Sequence, residues 1–326
     1  MTGKVKLFWC LYGVVLIFLF VLSSTDWIIK EEKAEIYPIS VIIEDTVDDN
    51  YVNFKKGMER AALELNADVS FITLYEQGNL EQQMELILRE QQDGSRALIV
   101  TPVAVEQIAG MQEENQVTVP LVLVNAEIGD ITERENTGWI SFDYYGMGGA
   151  LGEAIPEEQP SGQPVCLLGC EISNLASQSF SEGVRDAMES DGWKILSSSW
   201  QSEEELGQIF EKMTEGWTQS IVIVATDPES LIKTAQFLAD ADEAAEWIGG
   251  LYGRGNTVPI LNYLDRGLIQ GLCITDDFSA GYLSVKTAVE LADNHRLPGQ
   301  EYLESFYIQR EDLRNERYEK LLYPIE

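Results

Sequence analysis

From residue 37 onward the chain alternates short apolar runs rich in Val, Ile and Leu with longer amphipathic segments. The first run, YPISVIIED (residues 37–45), is followed by apolar residues spaced three or four apart, at Phe54, Met58, Ala61 and Leu65. This spacing predicts a strand followed by a helix that buries one face. The alternation continues through VSFITLY, ALIVTP and PLVLVN (residues 69–75, 97–102 and 120–125). Near-continuous apolar strands joined by helices indicate a parallel sheet that is covered on both faces.

A second series of the same kind begins at residue 164. It contains PVCLLG, WKILSSSW, SIVIVAT, EWIGGLY and GLIQGLCIT (residues 164–169, 193–200, 220–226, 246–252 and 267–275). Two series in tandem predict an α/β protein with two doubly wound parallel-sheet lobes, which suits 326 residues better than a single core does. Ligands of such sheets bind beyond the carboxyl ends of the strands, so the residues that follow each strand are the candidates for a site.

The N-terminal segment has the pattern of a signal peptide or signal anchor. Lys4 and Lys6 precede an uncharged run, LFWCLYGVVLIFLFVL (residues 7–22), which residues 23–29 can extend toward a membrane interface. We therefore expect residues 1–28 to form an uncleaved transmembrane anchor and residues 29–36 a charged stalk. The protein is then predicted to lie at the cell membrane with a single N-terminal span and an extracytoplasmic body. Cleavage near residues 21–23 is the alternative.

Charge and residue usage exclude several classes of protein. The formal net charge of −33 leaves no basic surface for nucleic-acid phosphates. A single histidine, His295, argues against His-rich metal sites and against Ser-His-Asp or Cys-His catalysis. Cys166 and Cys170 lie about 13 Å apart along one predicted strand, which is too far for a disulfide. We expect all four cysteines, with Cys10 and Cys273, to be buried small apolar residues, and we expect neither a metal nor a cofactor.

Adjacent carboxylates are the remaining candidates for acid–base chemistry. They occur at residues 44–45, 48–49 and 276–277, and neighbours on a strand point to opposite faces, unlike the facing carboxyls of a glycosidase. Asp276 and Asp277 directly precede a predicted helix, so N-capping is the favoured interpretation. TVDDN (residues 46–50) lacks the full EF-hand pattern, and GMGG (residues 146–149) is better explained by close helix packing than by a dinucleotide fingerprint. We therefore do not predict an enzyme.

Several local segments occur in a characteristic order along the chain. They are DDNYVNFKKGMERAALEL, ALIVTPVAVE, VPLVLVN, ISFDYYGMGGALGEA, FSEGVRDAM, VATDPES and TDDFSAGYLSVKTAVEL. In this order and spacing the chain from residue 37 onward resembles the ribose-binding and lactose-repressor-like family of type I periplasmic binding proteins. The resemblance implies hinge strands near residues 142–143, near residues 275–277 and after Pro298. It implies an N-terminal lobe of residues 37–142 plus 277–297, and a C-terminal lobe of residues 143–276 plus 298–326.

The resemblance also implies a ligand site between the lobes. Carried over by position, its residues are Asp48, Asn50, Tyr51, Asn125, Asp143, Tyr144, Phe180, Thr226, Asp227, Tyr252, Thr275 and Asp277. Sugar binders of the family often have Asp and Arg where Asn125 and Ala126 stand here, a clamping Arg in place of Phe180, and an Asp in place of Tyr252. Two familiar arginines are thus missing, although aromatic rings remain for stacking. Arg254 is a candidate replacement cation, and a surface turn is the alternative.

A solute-binding function follows from the resemblance. The two lobes are expected to close around a small, sugar-like ligand outside the cytoplasmic membrane and to present the closed form to a partner. The partner is predicted to be an ABC permease or, alternatively, a membrane histidine kinase that senses the ligand. A transcription repressor of this family needs a basic helix-turn-helix at its N-terminus, and the apolar run occupies that position.

Overall fold

The computed structural model describes residues 3–24, 36–43, 50–76, 78–126, 136–170, 175–190, 192–215, 220–240, 247–293 and 301–323. The chain divides into two compact units, Met1–Ile36 and Tyr37–Glu326. The second unit contains both predicted series of strands and helices, and its strands form two six-stranded sheets. The predicted α/β architecture with two parallel-sheet lobes is confirmed.

The first unit contains the helix α1 (Gly3–Ser24). Its uncharged run of residues 7–22 covers about 24 Å of helix axis at about 1.5 Å per residue, which is less than the roughly 30 Å hydrocarbon core of a bilayer. Among the described residues, no helix has the length and apolar character that crossing a membrane requires. This finding overturns the predicted localisation at the cell membrane through a single N-terminal span over residues 1–28.

The first lobe begins with β1 and contains five strands that follow one another in the chain with their helices. These elements are β1 (Tyr37–Ile43), α2 (Asn50–Leu65), β2 (Ala67–Thr73), α3 (Leu80–Gln92), β3 (Ala97–Val100), α4 (Val105–Glu113), β4 (Leu121–Val124) and β5 (Thr137–Phe142). Every residue of β3, β4 and β5 is buried, which explains why β3 and β4 are apolar along their whole length rather than at alternate positions.

The second lobe repeats this plan. Its elements are α5 (Tyr144–Glu158), β6 (Val165–Cys170), α6 (Leu175–Ser190), β7 (Ile195–Trp200), α7 (Glu203–Glu215), β8 (Ile221–Ala225), α8 (Pro228–Asp240), β9 (Ile248–Arg254), α9 (Val258–Asp265) and β10 (Gly271–Thr275). The helix α10 (Asp277–Ala292) and the strands β11 (Glu301–Leu303) and β12 (Ser305–Gln309) follow. The sheet orders are β11-β5-β4-β3-β1-β2 and β12-β10-β9-β8-β6-β7, so each strand of one lobe has a counterpart in the other.

The chain passes between the lobes at three places. The helix α5 follows β5 of the first sheet but packs on α6, and α10 follows β10 of the second sheet but packs on α2. The third passage is at Glu304, because β11 pairs with β5 and β12 pairs with β10. Residues 301–303 therefore lie in the first sheet, whereas the predicted boundary at residue 298 placed them in the C-terminal lobe.

Each lobe contains a pair of helices in which glycines allow backbone contact. In the first lobe a Cβ on Gly57 would overlap the carbonyl oxygen of Phe278, and a Cβ on Gly281 would overlap that of Phe54. In the second lobe Gly148 and Gly183 make the same reciprocal contacts with the carbonyl oxygens of Phe180 and Tyr145. In all four cases the glycine follows an aromatic residue at a distance of three positions, which confirms the close packing predicted for the GMGG segment.

The C-terminal segment packs on the second lobe and makes a hydrogen bond to the first. A 3-10 helix (Arg310–Arg314) and the helix α11 (Glu316–Leu322) follow β12. The side chain of Leu322 is buried in the apolar core of the second lobe, while its carbonyl oxygen accepts a hydrogen bond of 3.1 Å from Nδ2 of Asn53 on α2. This hydrogen bond joins the two lobes outside the three passages of the chain.

Candidate functional site

Arg254 is the last residue of β9 and lies at the carboxyl edge of the second sheet. Its guanidinium carbon is 5.1 Å from the ring centroid of Tyr144 and 5.9 Å from that of Phe180. Its Nε donates a hydrogen bond of 2.9 Å to the carbonyl oxygen of Thr226, and its Nη2 donates one of 3.0 Å to Oγ of Ser177. The structure thus brings three predicted site residues, Tyr144, Phe180 and Thr226, together around one half-buried cation.

Tyr252 lies two residues before the end of the same strand and is fully buried. Its hydroxyl donates to Glu158 at 3.0 Å and accepts from Nε2 of Gln159 at 2.9 Å, and Tyr307 also donates to Glu158, at 2.6 Å. Burial is the main cause that raises the pKa of both tyrosines. The structure places the Tyr252 hydroxyl at the end of α5, and Arg254 rather than Tyr252 stands at the strand end.

Asp227 connects the end of β6 with the start of α8. Its carboxylate accepts hydrogen bonds from the backbone N–H of Cys170 (3.0 Å), the backbone N–H of Ser230 (2.8 Å) and Oγ of Ser230 (2.8 Å). Ser230 in turn accepts a hydrogen bond of 2.9 Å from the indole of Trp200. The Asp227 carboxylate therefore stabilises the sheet edge that carries Thr226.

The four cysteines are free, and their environments differ. Cys166 and Cys273 are buried, as predicted, whereas Cys10 is exposed on α1. Cys170 is half-buried, because it stands at the sheet edge beside Asp227 instead of inside the strand. Burial and the negative charge of Asp227 raise the pKa of the Cys170 thiol to about 12, so the thiol stays protonated at neutral pH.

Two aspartates begin the helices that follow the first two passages between the lobes. Asp143 caps α5 and accepts a hydrogen bond of 2.8 Å from the backbone N–H of Gly146. Asp276 caps α10 and accepts from the backbone N–H of Ser279 at 2.9 Å. N-capping was predicted for Asp276, and this is confirmed. Both carboxylates stabilise a helix start where the chain changes lobe.

Thr275 and Asp277 lie on either side of the second capping aspartate. Oγ1 of Thr275 donates to Asp277 at 2.8 Å, and Nδ2 of the buried Asn256 donates both to Asp277 at 2.8 Å and to the carbonyl oxygen of Thr275 at 3.1 Å. Asn256 was not among the predicted residues. It connects the loop after β9 with the second passage.

The first lobe contributes fewer described side chains to this region. Tyr51 is half-buried on α2 and packs edge-to-face against Phe54, with ring centroids 6.1 Å apart. Asn125 follows β4, is exposed, and has a φ of 54°. Asp48 lies outside the described residues, and so does the side chain of Asn50, whose backbone begins α2.

A separate depression of about 380 Å³ follows the edge strand β2. Its lining residues are Tyr75, Glu76, Asn79, Glu81, Gln82 and Glu85. Because β2 is the outermost strand of the first sheet, this depression is distinct from the region around Arg254.

The sequence model of the periplasmic binding protein domain matches residues 39–296. The chain belongs to this family. No curated protein matches its sequence. As a periplasmic binding protein, it carries the Arg254 cluster and the capping aspartates at the strand ends where ligands of open α/β sheets bind.

Solved structures share the fold at low sequence identity. A glucose-galactose binding protein from Geobacillus stearothermophilus is 18% identical with a TM-score of 0.71, covering 86% of this chain and 99% of its own. An ABC transporter solute-binding protein from Agrobacterium vitis, bound with α-D-tagatopyranose, is 14% identical with a TM-score of 0.74, covering 89% and 100%. One chain in the structure of the TorS sensor domain–TorT complex is 18% identical with a TM-score of 0.74, covering 89% of this chain and 98% of its own.

Sequence reasoning did not place Ser177 or Asn256 near a site, and it left Arg254 as one of two alternatives. The signal for Arg254 was present: the apolar run of β9 continues through Gly253 to a single charged residue before Gly255, whose φ is 136°. No comparable local signal marks Ser177 and Asn256, since they contact Arg254 and Asp277 across 77 and 21 residues of chain.

Proposed function

We propose that this periplasmic binding protein is an extracytoplasmic solute-binding protein that closes around one small, sugar-like ligand for ABC-type uptake. The observation that carries the proposal is the junction of the two lobes at Asp143, Asp276 and Glu304, beside the carboxyl edges of both sheets. Because short segments join two rigid lobes there, rotation about these segments opens and closes the space between the edges.

The chemistry of the second-lobe edge supports a polar ligand with apolar faces. A cation backed by the rings of Tyr144 and Phe180 suits a compact polyhydroxylated molecule, because such sites combine an apolar surface with a few fixed polar groups. The first lobe contributes Tyr51 and Asn125 in this proposal, and Asp48 and Asn50 precede Tyr51 in the chain. Solute-binding proteins with this fold have been solved with bound tagatose, arabinose, allose and fucose.

The carboxylates near the lobe junction favour binding over catalysis. Asp143 and Asp276 cap helices, Asp227 accepts three hydrogen bonds, and Asp277 accepts from Asn256 and Thr275. Carboxylate oxygens that are engaged in this way are occupied by protein donors and are not free to exchange a proton with a substrate. We therefore propose that the protein binds its ligand without changing it.

A thermal-shift screen of the full chain tests the proposal. The probes are D-glucose, D-galactose, D-tagatose, D-arabinose, D-allose and D-fucose, together with their acidic derivatives. A ligand at about 100 times its Kd stabilises the folded state by about 2.7 kcal/mol, which a melting curve resolves. The proposal fails if none of these compounds raises the melting temperature.

A pair of tyrosine variants tests the placement of the site. Tyr51→Ala is expected to weaken binding of a confirmed ligand about ten-fold or more, because an aromatic platform is lost. Tyr75→Ala is the matched control, since Tyr75 is 94% exposed and lies after the edge strand β2. Equal affinities of the two variants would remove Tyr51 from the site.

The partner is either a permease or a sensor kinase, and cells that lack the protein distinguish the two. Loss of uptake of the labelled ligand shows that the partner is a permease, as we propose. Normal uptake with a lost transcriptional response to the ligand identifies a sensor, the kind of partner that TorT has in its complex with the TorS sensor domain.

A further inference from the structure

We infer that the ligand carries an oxyanion group, a carboxylate or a phosphate, and that Arg254 binds it. This inference rests on the proposed function, because it specifies the chemistry of the ligand in the same site. A neutral sugar needs hydrogen bonds and an apolar platform, whereas a half-buried guanidinium without a counter-ion is suited to an anion.

Arg254 has no acidic partner in the described part of the chain. Seven ion pairs within 4.0 Å are formed there by other cations, and none of them includes Arg254. The chain has 55 acidic and 22 basic residues, so carboxylates are abundant. A cation that is partly removed from water and left without one of them loses solvation that a ligand anion can restore.

The hydrogen-bonding capacity of Arg254 is also incompletely used. A guanidinium has five N–H groups. Nε donates to Thr226 and Nη2 donates to Ser177, and both acceptors are neutral. These two bonds and the rings of Tyr144 and Phe180 fix the plane of the guanidinium. The group is therefore oriented in advance, with N–H groups remaining for a carboxylate or phosphate.

The helix beside Arg254 adds positive potential. Ser177, which accepts from Arg254, lies in the first turn of the 16-residue helix α6, and that turn contains no acidic residue. The N-terminal turn of a helix favours anions. By contrast, Asp227, Asp143 and Asp276 each place a carboxylate at the starts of α8, α5 and α10. The first turn of α6, which has no acidic residue of its own, is the one that contacts Arg254.

The overall charge makes a local cation necessary for such a ligand. A body with a net charge of −33 repels anions at long range, although salt screens this repulsion beyond about 8 Å at physiological ionic strength. A neutral sugar experiences no such repulsion. A cation at the strand end that has no carboxylate partner among the described residues supports an anionic ligand group.

The test compares neutral and acidic sugars on the full chain by calorimetry and thermal shift. The matched probes are D-glucose, D-glucuronate and D-glucose 6-phosphate, and D-galactose with D-galacturonate. We expect at least one acidic probe to bind about ten-fold or more tightly than its neutral parent. The uronates and the sugar phosphate distinguish a carboxylate from a phosphate as the preferred group.

Variants connect this selectivity with the residue. Arg254→Gln is expected to reduce the ratio of acidic to neutral affinity to near one. Arg266→Gln is the matched control, because Arg266 also lies over a tyrosine ring, at 5.6 Å from the centroid of Tyr263, but follows α9 instead of a strand end. Arg254→Lys keeps the charge and should retain part of the selectivity.

The possible outcomes separate this inference from the proposed function. Tighter binding of a neutral sugar than of its acid overturns the inference and leaves the proposed function intact, as does an unchanged ratio in Arg254→Gln. Absence of binding by neutral and acidic probes alike overturns both. If Arg254→Gln does not fold, the ratio measured with the unaltered protein and with Arg254→Lys still decides.

Discussion

Val124 in the first lobe and Arg254 in the second occupy equivalent positions. Val124 is the last residue of β4 and pairs with Ile140, which precedes the capping residue Asp143 by three positions. Arg254 is the last residue of β9 and pairs with Cys273, which precedes the capping residue Asp276 by three positions. The next residue donates its backbone N–H to the neighbouring strand in both lobes. Val124 is 1% exposed within the apolar core, whereas Arg254 is half-buried under two rings without a carboxylate partner in the described chain.

This difference separates the requirements of the fold from those of the site. Sheet order, helix pairs and capping aspartates are common to the two lobes, so they are the parts that the architecture needs. An apolar residue at this strand end satisfies the architecture, as the first lobe demonstrates. A cation at the same place in the second lobe is not required for folding, and we attribute it to the ligand.

Exchanging the residues between these two positions should have the largest effect on the free energy of unfolding. Val124→Arg is expected to lower the free energy of unfolding by on the order of 4 kcal/mol, because it buries a charge among apolar side chains. Arg254→Val should lower it by no more than about 2 kcal/mol, since two hydrogen bonds are lost at an accessible edge. Urea denaturation of the ligand-free full chain measures both.

An equal loss in both variants would contradict the comparison, because it would make Arg254 as important for folding as Val124. A well-tolerated Val124→Arg would show that the first-lobe edge can accommodate a cation too.

Substitution of glycine by alanine in the two helix pairs should lower the free energy of unfolding by a similar amount in both lobes. Gly57→Ala and Gly148→Ala each place a Cβ against a backbone oxygen of the facing helix, so we expect a loss of about 1–3 kcal/mol for each. Gly110→Ala in α4 and Gly207→Ala in α7 are the controls, since a Cβ there meets nothing within 4 Å. Better helix propensity should make the controls more stable by about 0.5–1 kcal/mol.

A loss at Gly57 without one at Gly148 would mean that the second-lobe helices can move apart. The correspondence between the lobes would then be one of topology and not of packing.

The sequence predicted the elements that carry a periodic apolar signal. The sequence reveals buried strands such as β3 and β8 by their continuous apolar runs. It reveals amphipathic helices such as α2 and α6 by apolar residues that recur at helical spacing. The strands β11 and β12 carry no periodic apolar signal, and only the resemblance implied a hinge strand after Pro298. They have three and five residues, are separated by Glu304 alone, and receive their positions from β5 and β10, which are distant in sequence.

The candidate site was predicted less completely than the fold. Thr226 and Asp227, which the resemblance proposed, directly follow β8, so their place at the carboxyl edge could be predicted from the topology. Tyr252 was carried over by position from the resemblance, at the end of the predicted strand; β9 continues two residues further, and the Tyr252 hydroxyl donates to Glu158. The length of a strand depends on its neighbours, so a boundary cannot be read from one segment.

The capping aspartates at the two passages should give a smaller and unequal effect. Asp143→Ala and Asp276→Ala are each expected to lower the free energy of unfolding by about 1 kcal/mol. The loss should be larger for Asp276, because its carboxylate also accepts a hydrogen bond of 2.7 Å from Oγ of Ser279. Asp68→Ala, at an exposed position on β2, is the control and should change stability by less than about 0.5 kcal/mol. Thermal unfolding that ranks Asp143 above Asp276 would contradict this order.

The smallest predicted effect is a loss of folding stability at alkaline pH that originates in the second lobe. Both fully buried thiols belong to the second sheet, and burial raises the pKa of Cys166 to about 11 and that of Cys273 to about 12, from an ordinary value of 9.0. A pKa raised by folding contributes stability that is complete well below pH 9, begins to be lost as the pH approaches 9, and is gone once the pH has risen through 11 to 12. Between pH 8 and pH 9 the two thiols together should lower the free energy of unfolding by about 0.5–1 kcal/mol. The double variant Cys166→Ala/Cys273→Ala should reduce this slope in urea denaturation, whereas Cys10→Ala should not. A slope that persists in the double variant would assign the alkaline sensitivity to groups other than these second-lobe thiols.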